Sequence, residues 1–389
     1  MNVGERIAGT LLSLAVLWWL AVYGAKSPPS AEFLPLVPAV QPAGNIQDPP
    51  RFEEEYVTPL ESWPMMHAGS FCEQSDDTLA AVWYAGSREG ASDVAIYFAM
   101  RPRHGTWTEP RALVTVEIAR MELGRYVKKL GNPLIFTDGR GRLCLLYVSV
   151  SVGGWSGSSL NMKDSDDGGK TWTPSRRLTL SPFFNVSELL RNKPVMAQDG
   201  RIAVPIYHEF LGKFPEILWL TPDVDGQRWS YTKTRITGGR SYIQPSLICL
   251  DAQNIQVLMR SCGLAKAVGL CRSSNAGATW DPPQSLDVTN SDSALDAVRL
   301  TDGTILMAFN DKESGRAELQ LAASSDCGTT WKRLATVESE PEAAEFSYPA
   351  ILQSREGNIH LLYTWQRKRI KHVTFNRAWL DASPTGGSR

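Results

Sequence analysis

The octapeptide Ser165-Asp-Asp-Gly-Gly-Lys-Thr-Trp172 recurs twice in this chain of 389 residues, as Ser273-Ser-Asn-Ala-Gly-Ala-Thr-Trp280 and Ser324-Ser-Asp-Cys-Gly-Thr-Thr-Trp331. Two weaker copies end at Trp107 and Trp229, so that successive tryptophans are 65, 57, 51 and 51 residues apart. The serine and acidic side chains can bind the backbone of a tight hairpin, the glycine allows a positive φ, and the tryptophan packs beside the turn. The motif therefore predicts repeated β-hairpins, and we interpret its carboxylates as structural.

A second series of residues keeps the same spacing along the chain. Each member is a polar residue that precedes an apolar run and a turn, and successive members are 65, 61, 51, 52 and 52 residues apart. Because the inner strands of a propeller converge on its axis, such residues are candidates for lining a central depression, or for plugging the channel. Polar residues in every repeat favour a polar ligand. The six residues are His67, Asn132, Lys193, Gln244, Asp296 and Tyr348.

Six repeats with about four short strands each are typical of a β-propeller. The sequence therefore predicts an all-β fold, a six-bladed β-propeller over residues 55–376. In it the octapeptide motif, which we call the Asp box, forms the hairpins. A strand from the other terminus, around Glu55 to Pro59, is expected to close the last blade. A short amphipathic helix is predicted from Val116 to Leu130, and residues 377–389 are predicted to be a flexible tail.

The composition excludes some classes of protein. Forty Lys and Arg residues against 41 Asp and Glu give a net charge of -1, so no basic surplus exists for a nucleic-acid partner. Six cysteines in so long a chain do not make a disulfide scaffold, although Cys262 and Cys271 could pair or remain buried thiols. Their spacing lacks a metal-binding motif, and neither a metal nor another cofactor is expected.

The amino-terminal residues read as a membrane segment. Residues 7–25 carry no charge and follow Arg6, and 19 residues are enough for a helix to cross a bilayer. The bulky Trp18 and Trp19 argue against signal cleavage, so we expect an uncleaved anchor over residues 1–25 with its amino terminus in the cytoplasm. A cleaved signal, giving a secreted or periplasmic protein, is the alternative. Residues 26–54, rich in proline, are predicted to be an extended linker.

The boxes and the six-repeat spacing resemble the sialidase (neuraminidase) superfamily, especially its bacterial BNR-repeat, sialidase-like branch, over residues 55–376. Sialidases hold the substrate carboxylate with three arginines, since a guanidinium matches a carboxylate. The resemblance implies that Arg260, in IQVLMRS, and Arg316, in Arg316-Ala-Glu-Leu-Gln, are two of them. It implies that Tyr348, in FSYPAILQ, is the nucleophile, and that Glu89, or else Asp93, is the acid that protonates the leaving oxygen.

Two positions depart from the sialidase pattern. His67 stands where the family has its first arginine, and Tyr242 stands where it has the glutamate that activates the nucleophile. Glu209 could replace that glutamate as the base for Tyr348, or could pair with Glu89 in a hydrolysis that needs no tyrosine. His67 could bind a sugar hydroxyl. Further candidates for substrate binding lie in LLRNKP and PIYHEF: Arg191, Lys193 and His208.

These residues favour a sialidase-like exo-glycosidase that removes a terminal, acidic sugar from a glycan or polysaccharide. We expect it to be anchored in a bacterial cell membrane and to face the periplasm or the exterior. A carbohydrate-binding propeller without catalysis is the alternative, as is a glycosidase of another substrate that uses Glu89 and Glu209. An assembly protein with no affinity for sugar is a third possibility.

Overall fold

The computed structural model describes residues 12–15, 49–58, 62–181, 185–223, 228–341 and 343–382. These residues form six antiparallel sheets, in five of which consecutive strands pair in chain order from the hub outwards. The sixth sheet joins both ends of the described chain. The predicted six-bladed, all-β propeller is confirmed.

The first strand, β1 (Phe52–Tyr56), belongs to the last blade. Blade one contains β2 (Met65–Glu73), β3 (Leu79–Gly86), β4 (Ala95–Arg101) and β5 (Arg111–Val114). Blade two contains β6 (Lys129–Thr137), β7 (Leu143–Val150), β8 (Ser158–Ser165) and β9 (Arg176–Arg177). Blade three contains a split inner strand, β10 (Leu189–Leu190) and β11 (Val195–Met196), followed by β12 (Ile202–His208), β13 (Phe214–Pro222) and β14 (Trp229–Arg235).

The remaining three blades complete the ring. Blade four contains β15 (Tyr242–Cys249), β16 (Ile255–Ser261), β17 (Ala267–Ser273) and β18 (Gln284–Thr289). Blade five contains β19 (Asp296–Arg299), β20 (Ile305–Phe309), β21 (Glu318–Ser324) and β22 (Lys332–Ser339). Blade six contains β23 (Phe346–Gln353), β24 (Ile359–Trp365) and β25 (Arg369–Phe375), with β1 outermost. Within residues 49–382, the described part of the chain also contains helices α1 (Val116–Leu123) and α2 (Arg377–Ala382) and a 3-10 turn (Trp155–Gly157).

The ring is closed by β1, which pairs antiparallel with β25 and sets Phe52 opposite Phe375. This strand begins within the predicted linker and a few residues before the predicted closing strand, because Phe52 packs on Trp379 with ring centroids 4.6 Å apart. The same packing explains α2, where Leu380 is buried. The prediction of a flexible tail is therefore wrong for residues 377–382.

The predicted membrane segment lies largely outside the described residues. Of residues 7–25, the structure describes only 12–15, which are helical. None of the described helices is both long enough and apolar enough to span a bilayer.

Helix α1 begins at Thr115, whose Oγ1 accepts a hydrogen bond from the Ile118 amide at 3.2 Å. It ends at Gly124, which adopts a left-handed conformation with φ 59°. The predicted helix to Leu130 is therefore too long, since the chain has already entered β6 at Lys129. The helix lies between the last strand of blade one and the first strand of blade two.

The Asp boxes form the turns between the third and fourth strands of their blades. In the first box, Ser165 Oγ donates to Asp167 at 2.8 Å and accepts from the Gly169 amide at 2.8 Å. Asp167 also accepts from the Thr171 amide at 2.9 Å, and Trp172 Nε1 donates to the Gly169 carbonyl at 3.1 Å. These turns lie at the end of the blades opposite the start of the inner strands. We call the end where the inner strands start the entry face.

The six cysteines, all among the described residues, are not joined by disulfide bonds. Cys262 and Cys271 are free thiols, so the alternative of a disulfide between them is not realised. Cys271 is buried in β17, while Cys262 lies on a loop with its Sγ 3.5 Å from the Arg240 carbonyl oxygen.

Two buried histidines link the closing strand to blade six. His372 Nδ1 lies 3.0 Å from Glu55 of β1, and His372 Nε2 lies 3.1 Å from His360 Nδ1. Burial lowers the pKa of His360 well below its ordinary value, and burial lowers the pKa of His372 against the opposing effect of Glu55. Both rings are therefore neutral in the folded protein near neutral pH.

We expect acid to destabilise the propeller through this pair. Histidines in the unfolded chain take up protons near their ordinary pKa of about 6.5, before the buried ones do. The stability that the neutral rings contribute is complete above that pH and is lost as the pH falls below it. Urea unfolding at pH 7.5 and pH 5.0 measures the loss. His360→Gln/His372→Gln should reduce the pH dependence; an unchanged dependence would contradict the assignment.

Candidate active site

The inner strands of four blades contain a β-bulge at the same place. In blade six, Ser347 pairs with Thr364 and Ala350 with Leu362, which leaves two inner-strand residues opposite one. The first residue of each bulge has a positive φ of 41–54°, and the bulge redirects its side chain at the entry face. These residues are Ala68, Asn132, Gln244 and Tyr348.

The bulge shows which residue of blade one is equivalent to Asn132, Gln244 and Tyr348 of the other blades. The bulge residue there is Ala68, so His67 lies one residue earlier, paired with Tyr84 of β3. Lys193 and Asp296 each lie two residues closer than Gln244 to the turn that ends their inner strand. The six residues therefore do not form one ring.

The partly buried Lys193 of blade three and the buried Asp296 of blade five form an ion pair at the hub. Lys193 Nζ lies 2.8 Å from Asp296 Oδ2, and Asp296 is 1% exposed. The carboxylate also accepts from Ser246 Oγ at 2.7 Å and from the Ile351 amide at 2.9 Å. Burial lowers the pKa of Lys193, against the effect of Asp296. We therefore correct the prediction that these two bind substrate: they plug the channel, the alternative left open by the sequence.

Tyr348 lies at the centre of the charged residues of the entry face. The guanidinium carbon of Arg191 is 5.2 Å from its ring centroid, and that of Arg316 is 5.7 Å away. The His67 ring packs edge-on against it, with centroids 4.4 Å apart. Two cations and a neutral aromatic ring thus surround this phenol.

His67 is 1% exposed, and its two ring nitrogens are buried with no hydrogen-bond partner among the described residues. Burial lowers the pKa of His67 well below its ordinary value, and the charges of Arg367 and Arg316 lower it further. The ring is therefore neutral and covered by Tyr348. In this conformation no sugar hydroxyl reaches it, contrary to prediction.

A carboxylate bridge joins two arginines beside Tyr348. Glu345 accepts from Arg316 Nη1 at 3.2 Å and from Arg367 Nε at 2.7 Å. Burial acts to raise the pKa of Glu345, but the hydrogen bonds from Arg367 and Ser347 bring it below its ordinary value. Arg367 Nη1 donates to Glu89 at 2.9 Å. The predicted acid Glu89 is thus ion-paired and belongs to this network.

Arg260 lies on the opposite side of the network. Its Nη1 donates to Gln244 Oε1 at 3.0 Å and its Nε to Asp292 at 2.8 Å. Burial acts to lower the pKa of Arg260, but Tyr348 and Asp292 raise it, so the guanidinium stays charged. Gln244 also donates to the Tyr207 hydroxyl at 3.2 Å. We define the pit by the side chains around Tyr348: Arg260, Arg316, Arg367, Glu89, Glu345 and Tyr207.

Two predicted residues at the hub make other contacts. Arg191 is 2% exposed and donates to the Gly69 carbonyl at 3.1 Å, the Pro349 carbonyl at 3.0 Å and the Tyr348 carbonyl. It therefore ties blade three to blades one and six. Asn132 Nδ2 lies 3.4 Å from the Tyr207 hydroxyl, at the blade-two side of the pit.

The other predicted carboxylates differ in environment. Burial raises the pKa of Glu209, although Lys213 and Arg260 oppose the rise. Asp93 is exposed and binds only its own loop, accepting from the Ser87 hydroxyl and amide at 2.9 Å each. We therefore remove Asp93 from the candidate acids.

His208 also serves its own loop. Its Nε2 accepts from the Leu211 amide at 3.0 Å, and its ring stacks on Phe214 with centroids 4.8 Å apart. Burial lowers the pKa of His208 to about 4. The residue shapes the turn between β12 and β13, which corrects its prediction as a substrate ligand.

Comparison with known proteins gives this architecture a family. A sequence profile described as a BNR repeat-like domain matches residues 77–361, more than half of the chain. The chain belongs to this family. No curated protein sequence matches it significantly.

Solved structures similar to this BNR-repeat propeller include several sialidases. The Hadza microbial sialidase Hz136 superposes with a TM-score of 0.68 at 16% identity, over 85% of this chain and 69% of that one. The intramolecular trans-sialidase from Ruminococcus gnavus gives a TM-score of 0.65 at 15% identity, over 85% and 98%. A protein of unknown function from Dyadobacter fermentans gives 0.65 at 13%, over 87% and 100%. At these identities the similarity establishes the fold alone.

The sequence reading of this BNR-repeat propeller missed three residues of the pit. Arg367 lies in the turn between β24 and β25, Glu345 precedes β23, and Tyr207 lies in β12. The signal for Arg367 was present, because Glu89 and Arg316 occupy the corresponding loops of blades one and five. A search of the same loop in every blade would have found it. No comparable sequence signal marks Glu345 or Tyr207.

Proposed function

We propose that this BNR-repeat propeller is a glycoside hydrolase that removes a terminal sugar bearing a carboxylate. One observation carries the proposal: Arg260, Arg316 and Arg367 surround Tyr348 in one half-buried pit. A planar guanidinium presents paired N–H donors that match the two oxygens of a carboxylate. Three of them in one pit give a strong preference for an anionic sugar.

Arg367 supplies the cation that is missing from blade one. The Met66 amide donates to the Arg367 carbonyl at 2.7 Å, so the blade-six turn lies directly against the inner strand of blade one. The sialidase resemblance implies an arginine near His67, and Arg367 brings its charge to that side from another blade. Its bond to Glu345 holds the guanidinium in place.

Tyr348 would act as the nucleophile, or stabilise the positive charge that develops on the sugar ring. A phenol has a pKa of about 10 and attacks poorly unless its anion is stabilised. The guanidinium carbons of Arg191 and Arg316 lie 5.2 Å and 5.7 Å from the Tyr348 ring centroid, so two cations face the phenol. This arrangement offsets the absence of a glutamate at Tyr242, whose hydroxyl instead bonds Ser285 Oγ at 2.7 Å.

Glu209 suits proton donation better than Glu89. Burial raises the pKa of Glu209, and a raised pKa keeps a carboxyl group protonated closer to neutral pH. Glu89 is already engaged in an ion pair with Arg367, at 2.9 Å. We therefore assign proton donation to Glu209. Glu89 instead positions the Arg367 guanidinium, which reverses the expectation from sequence.

The proposal predicts a selective effect of removing a guanidinium. Arg316→Met and Arg367→Met should each raise KM for a terminal acidic-sugar glycoside by roughly 10- to 100-fold, the value of a charge-assisted hydrogen bond. Hydrolysis of a panel of acidic and neutral chromogenic glycosides measures this. Arg88→Met, at an exposed arginine beside Glu89, is the matched control and should leave KM unchanged. Turnover of neutral glycosides alone would overturn the proposal.

A non-catalytic carbohydrate-binding propeller is the second candidate. One observation favours it: among the described residues, no carboxylate hydrogen-bonds the Tyr348 hydroxyl, so none acts as its base in this conformation. A glycan array run beside hydrolysis assays separates the two. Retention of acidic glycans without product release would favour the binding protein.

A further inference from the structure

Exposed apolar side chains concentrate at the entry face. Between residues 49 and 382, the exposed large apolar side chains of the described chain all lie in segments that connect strands at this face. Leu264 is 102% exposed and Leu211 79%, so both project from the protein surface. Solvated loops do not require such residues, and clusters of them mark binding surfaces. The set comprises Met121, Tyr126, Val152, Phe210, Leu211 and Leu264.

Three of these residues share one continuous surface. Phe210 and Leu211 lie in the loop of residues 209–213, and Leu264 lies in the loop of residues 262–266. The segment 236–241 joins the two loops. The Lys213 amide donates to the Gly239 carbonyl at 3.0 Å, and the Cys262 amide donates to the Ser241 carbonyl at 2.8 Å. We call these three segments the rim patch.

The charge of the rim patch is positive. Lys213, Arg240 and Lys266 are exposed on its three segments. The one acidic residue within these segments is Glu209, which is half-buried at the pit edge. Apolar tips are thus flanked by exposed cations.

We propose that the rim patch docks on the surface of an anionic lipid bilayer. The transfer of phenylalanine and leucine side chains into the headgroup–acyl boundary is favourable, and lysine and arginine attract anionic headgroups. The tips project from separate loops rather than forming one flat face. That shape fits a fluid surface better than the complementary surface of a folded protein.

Docking by the rim patch would bring the pit close to the bilayer. Glu209 belongs to the rim patch, and Arg260 and Lys213 both lie close enough to affect its pKa. The pit opening would therefore lie beside the headgroups. This inference rests on the surface alone and does not depend on the proposed hydrolase activity.

The test is hydrogen–deuterium exchange of the full chain with vesicles of phosphatidylcholine, with and without phosphatidylserine. Exchange reports individual segments, which separates the rim patch from the apolar residues 7–25. We expect slower exchange in residues 209–213 and 262–266 only with phosphatidylserine. Phe210→Ser/Leu211→Ser/Leu264→Ser should abolish that slowing. Met121→Ser/Val152→Ser, at equally exposed residues elsewhere on the entry face, is the control and should keep it.

Vesicle sedimentation tests the charges. Lys213→Gln/Arg240→Gln/Lys266→Gln should weaken the binding that depends on phosphatidylserine, by roughly fivefold for each cation removed. Unchanged exchange in both loops on anionic vesicles would overturn the proposal. So would slowing that increases with protein concentration when vesicles are absent, since the rim patch would then bind a second copy of the chain.

Discussion

Tyr348→Phe should lower kcat for an acidic-sugar glycoside by at least about 100-fold, the lower range for losing a positioned catalytic side chain. Binding should change little, because the arginines that would hold the carboxylate remain. Phenylalanine keeps the ring that packs against His67 and Arg316. Phenylalanine also fits the left-handed backbone at this position, where φ is 54°, as well as tyrosine does. The substitution therefore removes the phenol oxygen and leaves the fold.

Kinetics and calorimetric binding of a non-hydrolysable acidic sugar measure the two effects separately. Tyr97→Phe, at a half-buried tyrosine of β4, is the matched control and should leave both unchanged. Equal turnover by Tyr348→Phe and the native protein would remove this phenol from the mechanism. A parallel loss of binding and turnover would instead indicate that Tyr348 holds the sugar.

Asp296→Ala should destabilise the propeller by about 3–5 kcal/mol, the cost of removing one partner from a buried ion pair. The carboxylate accepts from Lys193, Ser246 and the Ile351 amide, so one change removes an acceptor from three donors, of which Lys193 retains the Ala297 carbonyl. These donors come from blades three, four and six, and Asp296 itself belongs to blade five. The free energy of unfolding in urea measures the loss.

Two variants make this prediction specific. Asp381→Ala breaks the exposed pair with Arg377 and should cost less than about 1 kcal/mol. Adding Lys193→Met to Asp296→Ala should recover part of the loss, because the unpaired buried charge is then gone. An Asp296→Ala loss no larger than that of Asp381→Ala would show that the hub does not depend on this pair.

The number of blades was predictable because the Asp box is a local structure. Ser165, Asp167 and Gly169 bond within one turn, so their spacing survives in the sequence whatever surrounds them. Which residue of each inner strand occupies the bulge position was not predictable in the same way. In blade one the bulge residue is the apolar Ala68, so a search for polar residues selected its neighbour His67 instead.

The site was predictable where a residue occupies the end of a regular strand or a motif. Arg260 ends β16 and Tyr348 lies in the inner strand of blade six, and both line the pit. Glu345 was not predictable, because its role depends on Arg316 and Arg367, which come from two different blades. Contacts between loops distant in sequence leave no periodic signal in a single chain.

The ion pair of Lys193 and Asp296 also determines how a ligand can travel. Asp296 also accepts from blades four and six, and the buried Arg191 donates to blades one and six, so side chains meet across the hub and a long polymer cannot thread through it. Whatever enters the pit must leave by the same opening. Such a blind recess admits the tip of a branch and disfavours processive movement along an unbroken chain.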